Sequence, residues 1–165
     1  MRSFLAKVGR LLLEPRTFDS SDFAPVAAAL NLEGFPTHRT ASGWTIDCSN
    51  DVSDFDLRIQ QERGLTMMIS PLAEIAEPHR VPDGFYRDLP ELNHNMNFGK
   101  LGISDDIVTL TRELPLTKME PEIGVREVKV FSYAQERAMT YIDRSADRSG
   151  AIQNRHAALF LVGAS

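Results

Sequence analysis

The sequence predicts an α+β fold: an antiparallel twisted sheet of about five strands packed against helices, in the order α-βββ-α-ββ-α. Three observations predict it. The hydrophobic period changes from helical to alternating near Gly34, returns to helical near Gly84, and becomes helical for good near Pro121. The alternating segments are joined by short turn-forming stretches, and strands joined that way are antiparallel. Helical patterns stand before, between and after the strands, so they can cover one face of the sheet.

The elements follow in order. Phe4, Leu5, Val8, Leu11 and Leu12 fall on one face of an amphipathic helix within residues 1–13. Lys7 and Arg10 interrupt the apolar stretch, and no small-residue cleavage pattern follows, so it does not read as a signal peptide. A helix packed on its own domain is the simplest account; a membrane-surface helix or a partner-docking arm is the alternative. Ser20 and Ser21 are N-cap residues for a second helix reaching about Leu30, with Gly34 placed to stop it. Gly34–Arg39 and Gly43–Cys48 form a hairpin around Ala41-Ser42-Gly43. Phe55, Leu57 and Ile59 alternate with polar residues. After a turn at Arg63-Gly64, Leu65, Met67 and Ile69 alternate with Thr66, Met68 and Ser70. Pro71 is expected to end that ladder because it lacks an N–H, with residues 71–84 a loop holding a helical turn at Leu72–Ala76.

Phe85, Leu89, Leu92 and Met96 recur at helical spacing, which makes 84–97 a helix that Pro90 kinks or splits. Leu101 to Ile103, a turn at Asp105-Asp106 and the β-rich run Ile107–Glu113 make a second hairpin, stopped by Pro115. A long helix runs from Pro121 to about Arg144. Its apolar stripe (Ile123, Val130, Phe131, Ala134, Ala138, Tyr141, Ile142) is widened by Val125, Val128 and Met139 beyond what one sheet face needs, which invites cover from another chain. Asp143–Gly150 is polar and turn-rich. The expected organisation is therefore a helical extension over 1–19, a domain over 20–144 and a tail over 145–165, the tail carrying an apolar patch at Ala157–Val162.

The chain has 165 residues, 42% of them hydrophobic and 25% charged, with a formal charge of −5. That suffices for one domain with its own core and excludes a mostly disordered chain. An acidic surface with dispersed basic residues speaks against nucleic acid as a partner. Cys48 is the only cysteine, so no intrachain disulfide can form and a cytoplasmic setting is expected. No apolar run approaches the ~18 residues of a membrane span.

Motifs for chemistry are missing. There is no G-x-S-x-G elbow, His-Glu-x-x-His pair or glycine-rich phosphate loop. Cys48 sits on the apolar side of a strand, where a buried, inert thiol is the expected state. The cluster Asp47, Asp51, Asp54 and Asp56 invites a calcium-loop reading, but against that template Val52 stands where a glycine is needed and Arg58 where a glutamate is needed. A solvated turn between strands explains it better, and no metal or cofactor is expected.

The stretch from Leu89 to Tyr141 carries a resemblance. Leu92-Asn93-His94-Asn95-Met96-Asn97 closes a helix with asparagines; a hairpin follows, then Glu113-Leu114-Pro115-Leu116 and the long helix. This resembles the second half of the class I type III secretion chaperones (the Tir chaperone, or CesT, family), and the asparagine-ended helix is similar to the YbjN family, which shares the fold. The element order extends the match to roughly residues 20–144; the helix at 3–14 and the chain after Gly150 have no counterpart in it. The resemblance implies a homodimer without catalytic activity that holds an extended segment of another protein, by strand addition at a sheet edge and pockets for alternate side chains. Leu57, Ile59, Met67 and Ile69 are the expected partner-binding residues, with packing against the domain's own helices as the competing account. Phe85, Leu89 and Leu92 on the 84–97 helix and Leu101, Ile103, Val108 and Leu110 on the second hairpin are the expected dimer interface. Two other readings remain: a YbjN-like regulatory protein acting through partners, and a small-ligand binder or enzyme using His94, Asp105 and Asp106.

Overall fold

The computed structural model describes residues 23–62, 65–76, 81, 83–114, 120–149 and 152–154. Its elements run α1 (Ala24–Leu32), β1 (Thr37–Thr40), β2 (Gly43–Ser49), β3 (Asp54–Glu62), β4 (Leu65–Ile75), α2 (Asp83–Asn95), β5 (Lys100–Ser104), β6 (Ile107–Leu114), α3 (Pro121–Ser149) and β7 (Ile152–Asn154). This is the expected α+β architecture. The strands pair antiparallel in the order β1-β2-β3-β4-β6-β5, and β7 adds to β4 at Ala73–Ile75. The N-terminal helix, Ser20 and Ser21, the Arg63-Gly64 turn, Pro115 and the Ala157–Val162 patch lie outside the described residues.

Local chemistry sets the element ends. Helix α1 starts after Phe23, with Pro25 in its first turn where a missing N–H costs nothing. It stops at Gly34, whose φ of +86° is the left-handed value glycine adopts freely. The Phe35 amide donates to the Leu30 carbonyl (2.9 Å) and the Gly34 amide to the Asn31 carbonyl (3.2 Å), which together make a Schellman cap. Asp105 (φ +51°) and Asp106 (φ +60°) close the β5–β6 hairpin as a two-residue turn, as their pairing in the sequence suggests.

Two expected stops are overridden. Strand β4 does not end at Pro71: it runs on to Ile75, and the ladder shifts register between Pro71 and Ala73. Proline is tolerated in a strand at such an irregularity. Leu72, Ala73 and Ile75, expected in a helical turn, are buried strand residues instead. Helix α3 continues past Arg144 through Ser149, because after Gly124 no glycine or proline interrupts the sequence before Gly150. Pro90 lies within α2 and does not divide it.

The core lies between the sheet and the helices. Ile46, Leu57, Ile59 and Met68 from the strands meet Phe131, Ala138, Met139 and Ile142 of α3. The extra width of the α3 stripe is covered from within the chain. Helix α1 packs along it through the buried Val26, Ala27 and Leu30, and Lys129 pairs with Glu33 at 2.8 Å. The aspartate-rich turn is organised by Asn50. Its Oδ1 accepts from the Val52 and Ser53 amides, and its Nδ2 donates to the side chain of the fully buried Gln135 (2.6 Å), fixing the turn to α3.

Candidate functional site

Register sorts the strands into two faces. One cross-sheet row reads Arg39, Trp44, Ile59, Met68, Arg112; the adjacent row reads His38, Thr45, Arg58, Ile69, Thr111, Lys100. Every described helix meets the first, inner face or a helix already on it. Phe23, at the start of α1, lies 5.9 Å from the Trp44 ring. Glu127 of α3 pairs with Arg112. Phe85 of α2 stacks on Tyr141 of α3, 6.1 Å between centroids. The second row belongs to an outer face that no described helix covers.

The four expected partner-binding residues do not share a face. Leu57 and Ile59 are 0% and 1% exposed in the core, whereas Met67 and Ile69 are half-buried on the outer face. Strand β4 is inverted relative to its composition. Thr66 and Ser70 point inward and are buried, with Thr66 Oγ1 and Ser70 Oγ lacking hydrogen-bond partners among the described residues. Met67 and Ile69 point outward, with Pro71 next on the same side. Alternation alone could not settle which set faces in, because Met68 makes both sets partly apolar. The pairings Ile59 with Met68 and Arg58 with Ile69 settle it.

The expected dimer residues divide as well. Phe85 (3% exposed), Leu101, Val108 and Leu110 lie in the chain's own core, while Leu89 and Leu92 are half-buried and Ile103 is exposed. These last three sit at the α2–β5 end of the sheet. There Asn93 grips the edge strand: the Leu101 amide donates to Asn93 Oδ1 (2.6 Å), and Asn93 Nδ2 donates to the Leu101 carbonyl (2.8 Å). Both Leu101 backbone groups therefore point away from β6 and are already engaged. Lys100 Nζ donates to the Asn93 carbonyl (2.6 Å) at the negative end of α2. At the opposite edge Asn31 does half as much, its Oδ1 accepting from the Thr37 amide (2.9 Å). No short sequence motif announces either contact.

The constellation His94, Asp105 and Asp106 is not assembled. All three are exposed, and β5 runs from beside α2 to the hairpin turn, so about 16 Å of strand separates the histidine end from the aspartates. Cys48 is buried, and desolvation first, then the nearby Asp47 and Asp56 charges, push its thiol up to about 12. Among the described residues no group of three His, Cys, Asp or Glu is placed to hold a metal, and no helix is long and apolar enough to cross a membrane. A depression of about 280 Å³ opens at the β1–β2 turn, lined by Thr40, Ser42, Trp44, Thr45, Arg58, Ile59 and Gln60.

Among solved structures, a chain from the crystal structure of the ExsC–ExsE complex superposes with a TM-score of 0.53 at 15% identity, covering 73% of this chain and 92% of that one. The likeness is one of fold alone. The likeness supports the fold that the Leu89–Tyr141 resemblance implied and stops short of the Tir chaperone or YbjN family. No family model matches the chain, and no curated protein does.

Proposed function

We propose that this protein is a non-enzymatic, partner-binding protein of chaperone type that holds an extended segment of another protein against the outer face of its sheet. The inverted β4 carries the reading. A strand that turns Thr66 and Ser70 into its own core and leaves Met67 and Ile69 outside forgoes burial that the opposite orientation would give, and such local conflicts concentrate at functional sites. Methionine beside isoleucine suits a surface that adapts to more than one side-chain pattern. The superposable solved chain comes from a complex of two proteins, which agrees with this reading. A homodimer through Leu89, Leu92 and Ile103 belongs to the same proposal, since these are the expected interface residues that remain accessible.

Affinity capture from a native cell extract, run with the wild type and with a Met67→Asp/Ile69→Asp variant, tests the main claim. A protein retained by the first and lost by the second, with both equally folded by circular dichroism, supports it. Identical captures end it. Light scattering on the Leu92→Asp/Ile103→Asp variant tests the dimer, which is expected to dissociate to a monomer.

A further inference from the structure

The outer-face reading leaves the chemistry of the bound segment open, and the depression beside Met67 narrows it. A second outer row crosses the sheet as Thr40, Gly43, Gln60, Met67 and Glu113. Gly43 leaves its place in that row unfilled and could not fill it, because a Cβ there would overlap the Ile59 carbonyl. The depression lies at this gap, between Thr40 and Thr45 on one side and Arg58 and Gln60 on the other. Its lining holds one cation, three hydroxyls and one primary amide, together with Trp44 and Ile59. Arg58 makes no ion pair among the described residues, and the side chains of Thr40, Thr45 and Gln60 make no hydrogen bond among them. A guanidinium offers only donors, and hydroxyls and amides can add more. On the side away from the gap, Asp56 is the next residue along β3 on the same face as Arg58 and stands opposite Asp47, which is paired with His38 (3.2 Å); on the gap side the first acid is Glu113, two strands away past Met67.

The geometry points to a carboxylate subsite: an Asp or Glu side chain of the bound segment sits over Gly43 against Arg58, and an apolar side chain two residues along rests on Met67 or Ile69. The spacing fits. Side chains two apart on one face of an extended chain are about 6.7 Å apart, and the step from between β2 and β3 to β4 is about 5–10 Å at normal strand separation. This inference rests on the outer-face reading and adds the sign of the partner's charge to it.

Titration of the isotope-labelled full chain by NMR with acetyl-Glu-Ser-Leu-amide, acetyl-Gln-Ser-Leu-amide and acetyl-Lys-Ser-Leu-amide tests it. The glutamate peptide is expected to shift the Arg58 Nε–H and the Met67 methyl together and to bind up to about fivefold tighter than the glutamine peptide, the ceiling for an exposed ion pair. Added salt should shrink that preference, and Arg58→Gln should abolish it while leaving the Met67 response to the glutamine peptide unchanged. Equal binding of the glutamate and glutamine peptides at Met67, or tighter binding of the lysine peptide, overturns the subsite and leaves the outer-face reading standing. If no outer-face resonance moves with any peptide, both fall.

Discussion

Arg58 and Ile59 are adjacent in sequence, yet they belong to two faces of the sheet with different fates. Ile59 is 1% exposed, between Trp44 and Met68 and beneath the helices; Arg58 is exposed, between Thr45 and Ile69. The inner face is finished by this chain. Helices α1 and α3 cover it, and Arg112 on its central strands is paired with Glu127 and lies 5.6 Å over the Phe98 ring. The outer face mixes polar rows with an apolar strip on β4. The same backbone thus supplies a folding surface and, one residue out of phase, a surface that no described helix covers.

The largest expected effect breaks or upholds that comparison directly. Ile59→Ala should cost about 2–5 kcal/mol in urea unfolding, as truncation of a fully buried aliphatic side chain does. Ile69→Ala, on the half-buried outer strip, should cost about 1 kcal/mol or less. Equal losses would mean that the outer face contributes as much to folding as the inner one.

How far the faces were legible depends on the strand. In β2 and β3 the apolar sets are unambiguous, so Ile46 and Cys48, and Phe55, Leu57 and Ile59, could be placed inward from alternation alone. In β4 the apolar residues straddle both faces, and the orientation is decided by pairing with β3 and β6 and by the burial of Leu72, Ala73 and Ile75 beyond Pro71. A long-range consequence of that kind has no local signature. The same holds for Asn93: an asparagine near a helix end can be read from the sequence, but its hold on Leu101 exists only once α2 docks on β5.

That hold supplies the second prediction, because it distinguishes the β5 edge from both faces. Asn93→Ala leaves an edge amide and carbonyl without their partners, at a cost of about 1–3 kcal/mol if they stay shielded from water. An opened edge also invites pairing with another chain. The variant is expected to lose stability and to self-associate, read by urea unfolding and by light scattering across concentration. Asn31→Ala, which frees only the Thr37 amide, should do less on both counts.

A third test uses Cys48 on the inner face. Its thiol is raised in the folded chain from about 9 to about 12, so the unfolded state loses the proton first. The stability this contributes is fully present below pH 9 and is lost as pH rises from about 9 towards about 12, with a slope of up to ~1.4 kcal/mol per unit. Cys48→Ala should flatten that limb relative to the wild type. Thiol-reactive dye should label the native protein only as fast as it opens, whereas a Thr45→Cys variant, changed on the outer face, should label at once.

Ser70 sharpens the contrast from the opposite direction. Its hydroxyl is fully buried on the inner face with no hydrogen-bond partner among the described residues. Ser70→Ala is therefore expected to stabilise the chain, by about 1 kcal/mol, since an unmade buried hydrogen bond is removed with almost no change of volume. The same change at the outer-face Thr109→Ala should not stabilise. A loss of stability at Ser70 would mean that its hydroxyl has a partner and that β4 is not frustrated where the functional reading requires it to be.

The smallest effect belongs to the outer-face pair His38–Asp47, 3.2 Å apart with side chains 63% and 50% exposed. Groups this open to water gain little from pairing, and ordering two side chains offsets part of the gain, so His38→Ala should move stability by less than about 0.5 kcal/mol. Arg112→Ala removes the corresponding pair from the inner face, where the side chains are 23% and 15% exposed. It leaves the shielded Glu127 with only the exposed and more distant Arg126 (3.9 Å) among the described residues and should cost more, about 1–3 kcal/mol on the scale of lost charged hydrogen bonds. Salt separates the two further: about 0.5 M sodium chloride should erase whatever the His38 variant shows and leave most of the Arg112 deficit, because mobile ions screen an exposed pair more effectively than one beneath a helix. If both deficits vanish together in salt, water reaches Arg112 as freely as it reaches His38, and the inner face is less sealed than its packing implies.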